Sequence, residues 1–208
     1  MYYDKKYFEW QKEIGKLGGI ANKFKFEKHI KKQDTVVDFG SGGGYLLENI
    51  DCGEKLGIEI NETAREEAGK MGIVSVGTIS DVENDYADVI ISNHALEHVA
   101  NPLGVLKELH SKLKDSGSIV FVVPHENSKQ KFNENDINKH LYTWTRQTLG
   151  NLFKEAGFND VSAYNIRSKW PPFYLNIYGF FGLGFFKLVC YFWALMNNNY
   201  QIKVVAKK

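Results

Sequence analysis

Two acidic residues and a run of glycines carry the clearest chemical signal in this chain. Asp38-Phe39-Gly40-Ser41-Gly42-Gly43-Gly44 follows a short β-branched stretch, and Glu59 closes the next apolar stretch. A glycine turn at the carboxyl end of a parallel strand lets the backbone pass close to a ligand and offers N–H groups to it. A carboxylate about 20 residues after the turn begins is placed to accept hydrogen bonds from both hydroxyls of an adenosine ribose. The spacing therefore implies a nucleoside-like cofactor. The dinucleotide fingerprint Gly-x-Gly-x-x-Gly is incomplete, because its last position falls on Tyr45, where a large ring prevents the close helix packing that glycine permits. Asp38 would repel a pyrophosphate and attract an ammonium.

Proton transfer points to histidine, the side chain that changes charge near neutral pH. His94 directly follows the fourth predicted strand, His98 sits one helical turn further on, and His140 lies beyond the fifth strand in Lys139-His140-Leu141-Tyr142-Thr143-Trp144. All three are candidate bases. Capping or packing of a helix start competes with catalysis at His98, and a structural hydrogen bond competes at His140. No grouping of His, Cys, Asp and Glu has metal-ligand spacing, so no metal is expected.

The elements that must hold these residues read as strands alternating with helices. Thr35–Phe39, Lys55–Ile58, Ile73–Val76, Ala87–Ile91, Ser118–Val123, Val161–Ile166 and Gln201–Ala206 have strand patterning. Helical character falls on Tyr45–Ile50, Thr63–Met71, Pro102–Lys114 and Thr145–Ala156, and Tyr7–Ile30 reads as one or two amphipathic helices with lysine-rich faces. Such alternation predicts an α/β fold, a doubly wound and mostly parallel sheet with helices on both faces.

The stretches Val36–Gly44, Leu56–Glu59, Ala87–His94, Leu96–Val99 and Glu155–Phe158 resemble the class I S-adenosylmethionine-dependent methyltransferases, in particular those similar to the ubiquinone and biotin pathway enzymes. The likeness covers about residues 20–165 and the last strand. It implies a Rossmann-like seven-stranded sheet whose final strand, Gln201–Ala206, runs antiparallel between two others. It also implies S-adenosylmethionine as cofactor, held along Asp38, Gly40, Ser41, Gly42 and Gly44, with Glu59 on the ribose, Ile60, Thr78 and Ile79 near the adenine, and Asn93 with His94 as the far wall. Relatives often carry an acidic residue after a glycine at the end of the third strand. Gly77-Thr78-Ile79 has threonine there, which leaves Asp81 or backbone groups to meet the adenine. Tyr7, Phe8 and Trp10 are read as a lid over the cofactor or as ordinary helix packing.

Length and composition set outer bounds. The chain has 208 residues, 43% of them hydrophobic, and a formal net charge of +1, which suits a single domain (lead-in 1–32, core, and an apolar insert 168–198) and gives no field to hold a nucleic acid. Cys52 and Cys190 form no disulfide framework, and the amino terminus lacks a secretory signal, so a cytoplasmic location is expected. Phe173–Met196 is apolar and carries only Lys187 as a charge, yet Gln201–Ala206 must return to the sheet, so a membrane span is not expected. Residues 170–196 can instead lie on a membrane interface or form a dimer contact. The acceptor expected is a small molecule or a lipid- or glycan-linked one, methylated at oxygen; a non-catalytic cofactor-binding subunit and a nucleotide-dependent oxidoreductase are the competing functions.

Overall fold

The computed structural model describes residues 5–126, 131–136 and 138–208; in the first helix the described side chains are Lys12 and those from Ile14 onward. The β-branched runs form a seven-stranded sheet of β1 (Thr35–Phe39), β2 (Glu54–Ile58), β3 (Val74–Val76), β4 (Ala87–Asn93), β5 (Leu113–Pro124), β6 (Asn159–Ile166) and β7 (Gln201–Lys207). Its order is β3-β2-β1-β4-β5-β7-β6. β7 pairs antiparallel with both β5 and β6, while the other neighbours are parallel. This is the Rossmann-like arrangement with an antiparallel last strand.

Helices cover both faces because both faces are apolar. Val37, Ile90, Phe121 and Val204 pack with Leu106 and Leu109 of α4 (Pro102–Lys112) and Leu149 and Phe153 of α5 (Arg146–Glu155). On the other face Val36, Val89, Ile91 and Val120 pack with Leu46 and Leu47 of α2 (Tyr45–Asn49), Ala68 of α3 (Glu62–Lys70) and Phe26. Helix starts are fixed by side chains: Asn61 accepts from the N–H groups of Thr63 and Ala64, and Thr145 from Thr148. Each such cap contributes about 1 kcal/mol.

Three expectations change in detail. The lead-in is one helix, α1 (Lys5–Asn22), followed by two single 3-10 turns at 23–25 and 27–29. His98 ends a 3-10 turn, Leu96–His98, rather than lying in a regular helix. The insert holds α6 (Tyr174–Met196), whose two halves meet at Gly182 with φ +72°.

β1 and β4 are central, and the chain winds from them in opposite directions. A crevice opens at the carboxyl ends of two such strands, where the crossovers diverge. There the sheet places Gly40 and His94 side by side.

Candidate active site

The turn after β1 is shaped by glycines that no other residue replaces cheaply. Gly40, Gly42 and Gly44 have φ of +75°, +53° and +78°. A Cβ on Gly40 would stand 2.4 Å from the Ala95 Cβ, whereas one on Gly42 would meet nothing within 4 Å. Gly42 thus borders open space, the cradle a ligand needs, and the others border protein. Gly44 caps α2 and faces Ala68 and Ile73 rather than the cleft.

Most of the loop's N–H groups are already taken, which the glycine pattern had not suggested. Those of Gly40 and Ser41 bond the Ile58 carbonyl, that of Gly44 bonds Ser41, and that of Gly42 donates to Glu59 Oε2 at 2.9 Å. A pyrophosphate needs free donors. This turn instead gives close approach without a ring of donors, which argues against a dinucleotide on grounds independent of Tyr45.

Glu59 is fixed by its neighbours, although it does not itself line the cleft described below. One carboxylate oxygen takes the Gly42 N–H, the other takes that of Asn61 at 2.8 Å, and Arg65 Nη1 bonds the Glu59 carbonyl at 2.8 Å. Each oxygen keeps a further acceptor site, enough for a vicinal diol. Burial pushes its carboxyl up, against the lowering effect of the backbone donors. The Glu59 N–H bonds the Val76 carbonyl, so the ends of β2 and β3 lie together and bring Ile60 and Thr78 beside Glu59. Ile60 is 58% exposed, as an apolar face for a flat ring would be, while the Ile79 side chain is buried in the core and has only backbone to offer. Asp81 holds the Thr78 N–H and Oγ1, which ties its carboxylate into the turn.

A cleft of about 490 Å³ is lined by Asp38, Gly40, Ser41, Gly42, Asn93 and His94, together with Gly18 and Gly19 of α1, Lys25, Trp170 and Gln201. Six expected residues therefore share one cavity. Asp38 is 2% exposed, and burial, then Glu59, push its carboxyl well above the carboxylate range. Lys25, which the sequence hid among other lysines, is also 2% exposed and donates from Nζ to Asn93 Oδ1 at 3.0 Å. Burial, then Lys203, draw it down to about 7. Lys203 in turn donates to the Lys25 carbonyl. One cleft thus holds a buried acid and a buried base, each lacking a full ion-pair partner among the described residues. An amino-acid zwitterion would satisfy both.

α1 reaches this cleft because glycines remove its bulk. A Cβ on Gly19 would lie 2.2 Å from the Tyr45 carbonyl, and one on Gly15 would lie 2.7 Å from the Tyr45 ring. Glycine inside a helix costs about 1 kcal/mol relative to alanine. Gly15, Gly18 and Gly19 were therefore a legible sign that this helix presses against something. The side chains of Tyr7, Phe8 and Trp10 lie outside the described residues.

The three histidines converge on a residue to which no role had been assigned. Glu97 is 0% exposed, and neither carboxyl oxygen has a hydrogen-bond partner among the described residues. His94 Nδ1 stands 3.8 Å and His140 Nε2 4.0 Å from its Oε1. The His98 and His140 rings meet edge-on at 4.8 Å. His140 Nδ1 bonds Glu126 Oε1 at 2.5 Å, and the Leu141 and Tyr142 N–H groups bond the Glu97 carbonyl, pinning the loop after β5 over β4. Burial raises Glu97 to about 8 and lowers His94 to about 3 and His98 to about 4, so these three are uncharged near pH 7. The spacing gave no metal grouping, yet the fold brings ligand atoms of Glu97, His98 and His140 within 4.8 Å of one another.

The methyltransferase domain family matches residues 7–163. The ubiquinone biosynthesis O-methyltransferase of Vibrio campbellii is 32% identical over 106 residues, 45% of each chain. That of Serratia proteamaculans is 29% identical over 129 residues, 56% of this chain and 48% of its own. The chain spans about half the length of the curated relatives it matches. Among solved structures, an S-adenosylmethionine-dependent methyltransferase from Archaeoglobus fulgidus superposes with a TM-score of 0.66 at 20% identity, covering 97% of this chain and 99% of its own. A chain from the complex of the Haloferax volcanii Trm112 methyltransferase activator with a putative methyltransferase gives 0.68 at 18% identity, covering 98% and 97%. These structures bear on the fold. By the family match, with a fold and a cleft that suit it, the chain belongs to the methyltransferase domain family, and its cofactor is S-adenosylmethionine.

Proposed function

We propose that this protein transfers a methyl group from S-adenosylmethionine to a hydroxyl of a small-molecule or lipid-linked acceptor. The observation that carries the reading is the adjacency of two half-sites: a cleft holding Asp38 and Lys25, and a histidine cluster that shares His94 with it. The cofactor supplies an electrophilic methyl group on a sulfonium, and the protein supplies alignment and a path for the acceptor's proton.

Glu59 accepts the ribose hydroxyls, Asp38 takes the ammonium and Lys25 the carboxylate of the amino-acid end. Ile60, Thr78 and the Ile79 backbone border the base. Removal of a hydroxyl proton falls to His140. Its Nδ1–H is held by Glu126, which leaves the Nε2 lone pair, 4.0 Å from Glu97 Oε1 and beyond hydrogen-bond reach of it, to take a proton. His94, lowered to about 3, is too weak a base and lines the wall between cofactor and acceptor. The named activity of the Vibrio and Serratia relatives supports oxygen as the target.

The test measures S-adenosylhomocysteine release over a panel of phenolic and glycan hydroxyl acceptors, with wild type, His140→Gln and Glu59→Ala. We expect Glu59→Ala to abolish calorimetric cofactor binding, and His140→Gln to leave that binding intact while lowering kcat about 100-fold or more. Undiminished turnover in His140→Gln would remove the base assignment. Undiminished cofactor affinity in Glu59→Ala would remove the ribose assignment.

A further inference from the structure

α6 is the largest feature that neither half-site uses. Its inner side is modest: Phe186 and Cys190 pack on Leu17 and Ala21 of α1, with Trp170 against Phe186. Its outer side is apolar and bare. Phe180 is 80% exposed, Phe181 63%, Phe185 46%, Leu188 51%, Phe192 54% and Met196 80%. A helix of a soluble monomer buries such a face or meets something with it.

The segments that adjoin that face are basic. Arg167, Lys169 and Lys187 flank or lie within α6 with no acidic residue between 161 and 200. From 16 to 32 the chain has Lys16, Lys23, Lys28, Lys31 and Lys32, besides the buried Lys25, against Glu27 alone. These two basic segments touch: Lys187 Nζ lies 5.1 Å over the Phe24 ring, and Leu17 and Ala21 pack with Phe186 and Cys190. An apolar stripe bordered by lysines matches the boundary between acyl chains and anionic headgroups. A second copy of this chain fits poorly. A two-fold contact sets the same patch against itself, and here it would oppose lysines with no carboxylates in 161–208 to answer them.

Geometry excludes crossing. At 23 residues α6 is long enough to span a bilayer. Yet the strands it joins are antiparallel neighbours in which Ile166 pairs with Gln201. A span would set these partners about 30 Å apart on opposite sides of the hydrocarbon. The break at Gly182 instead gives two short helical pieces that can follow a surface.

We propose that α6 docks flat on an anionic lipid bilayer. Because Ser168, Lys169 and Trp170, just before α6, line the cofactor cleft, docking faces that cleft toward the membrane. Delivery of a lipid-linked acceptor by this route rests on the function proposed above; docking itself does not.

The experiment is flotation of the full chain with vesicles of phosphatidylcholine alone or mixed with phosphatidylglycerol, at low and high salt, with no cofactor present. Mass in solution is measured alongside by light scattering. We expect a monomer that floats with the mixed vesicles, less at high salt. The double variant Phe181→Glu/Phe185→Glu should partition about tenfold or more weakly while binding S-adenosylmethionine as wild type does. Both rings are exposed, so the substitutions remove no core. Failure to float, flotation that the double variant does not weaken, or a dimer that the variant dissociates would each overturn the proposal. Cofactor titration of the same samples reports separately on the methyltransferase reading.

Discussion

Replacing Glu97 with glutamine should make the protein more stable at neutral pH. Burial raises the Glu97 carboxyl to about 8 from its ordinary 4.5. The folded chain therefore holds a proton at pH 7 that the unfolded chain releases, and the folded-state proton is the costly one. At about 1.4 kcal/mol per pH unit, retaining it costs about 3 kcal/mol at pH 7 and nothing below pH 4.5. Glutamine matches the neutral acid in shape, and neither carboxyl oxygen gives up a hydrogen bond, because neither has one among the described residues. The sign follows: wild-type stability declines as pH rises from 4.5 to 8 on account of this group, and Glu97→Gln removes the decline. His94 and His98, lowered by burial from 6.5, act the other way as pH falls. They are present in both proteins, so the difference isolates Glu97. Thermal unfolding at pH 5 and pH 7.5 should show the variant nearly equal to wild type at the lower pH and about 6–12 °C higher at the upper. Equal destabilisation at both pH values would refute the reasoning, since it would mean that the carboxyl makes contacts worth more than its ionisation.

Two further predictions concern the cofactor half. Asp38 is held above the carboxylate range by burial and by Glu59, so a cationic ligand that needs the ionised form should bind more tightly as pH rises through that raised range; calorimetry should find this slope in wild type and a flat, weaker response in Asp38→Asn. Gly40→Ala places a Cβ 2.4 Å from the Ala95 Cβ at φ +75°, which should lower stability by about 2 kcal/mol or more in urea titrations, while Gly42→Ala, with open space before it, should lose less stability and more cofactor affinity.

The parts of this protein legible in its sequence are those fixed by local pattern. Runs such as Val36-Val37 and Ile90-Ile91 are apolar on both faces and can only be central strands, so the sheet and its glycine turn follow from residue types. Glu59 was legible because its place depends on one strand–turn–helix unit. The site beyond that unit was not. Lys25 carries no mark that separates it from Lys23 or Lys28; only the packing of α1 and β7 leaves it 2% exposed beside Asn93. Glu97 stands between Leu96 and His98 with nothing in sequence to mark it, and becomes the centre of a histidine cluster only when the loop after β5 folds over and brings His140 across. The loop N–H groups looked available until the fold turned Glu59 and Ile58 toward them. Periodicity and turn chemistry act within a few residues, so the sequence by itself determined the sheet, its turn and the acidic residue that closes the next strand. Burial and the meeting of distant side chains depend on how the elements pack, and there the tertiary structure alone decided which charges lie buried and which histidines meet.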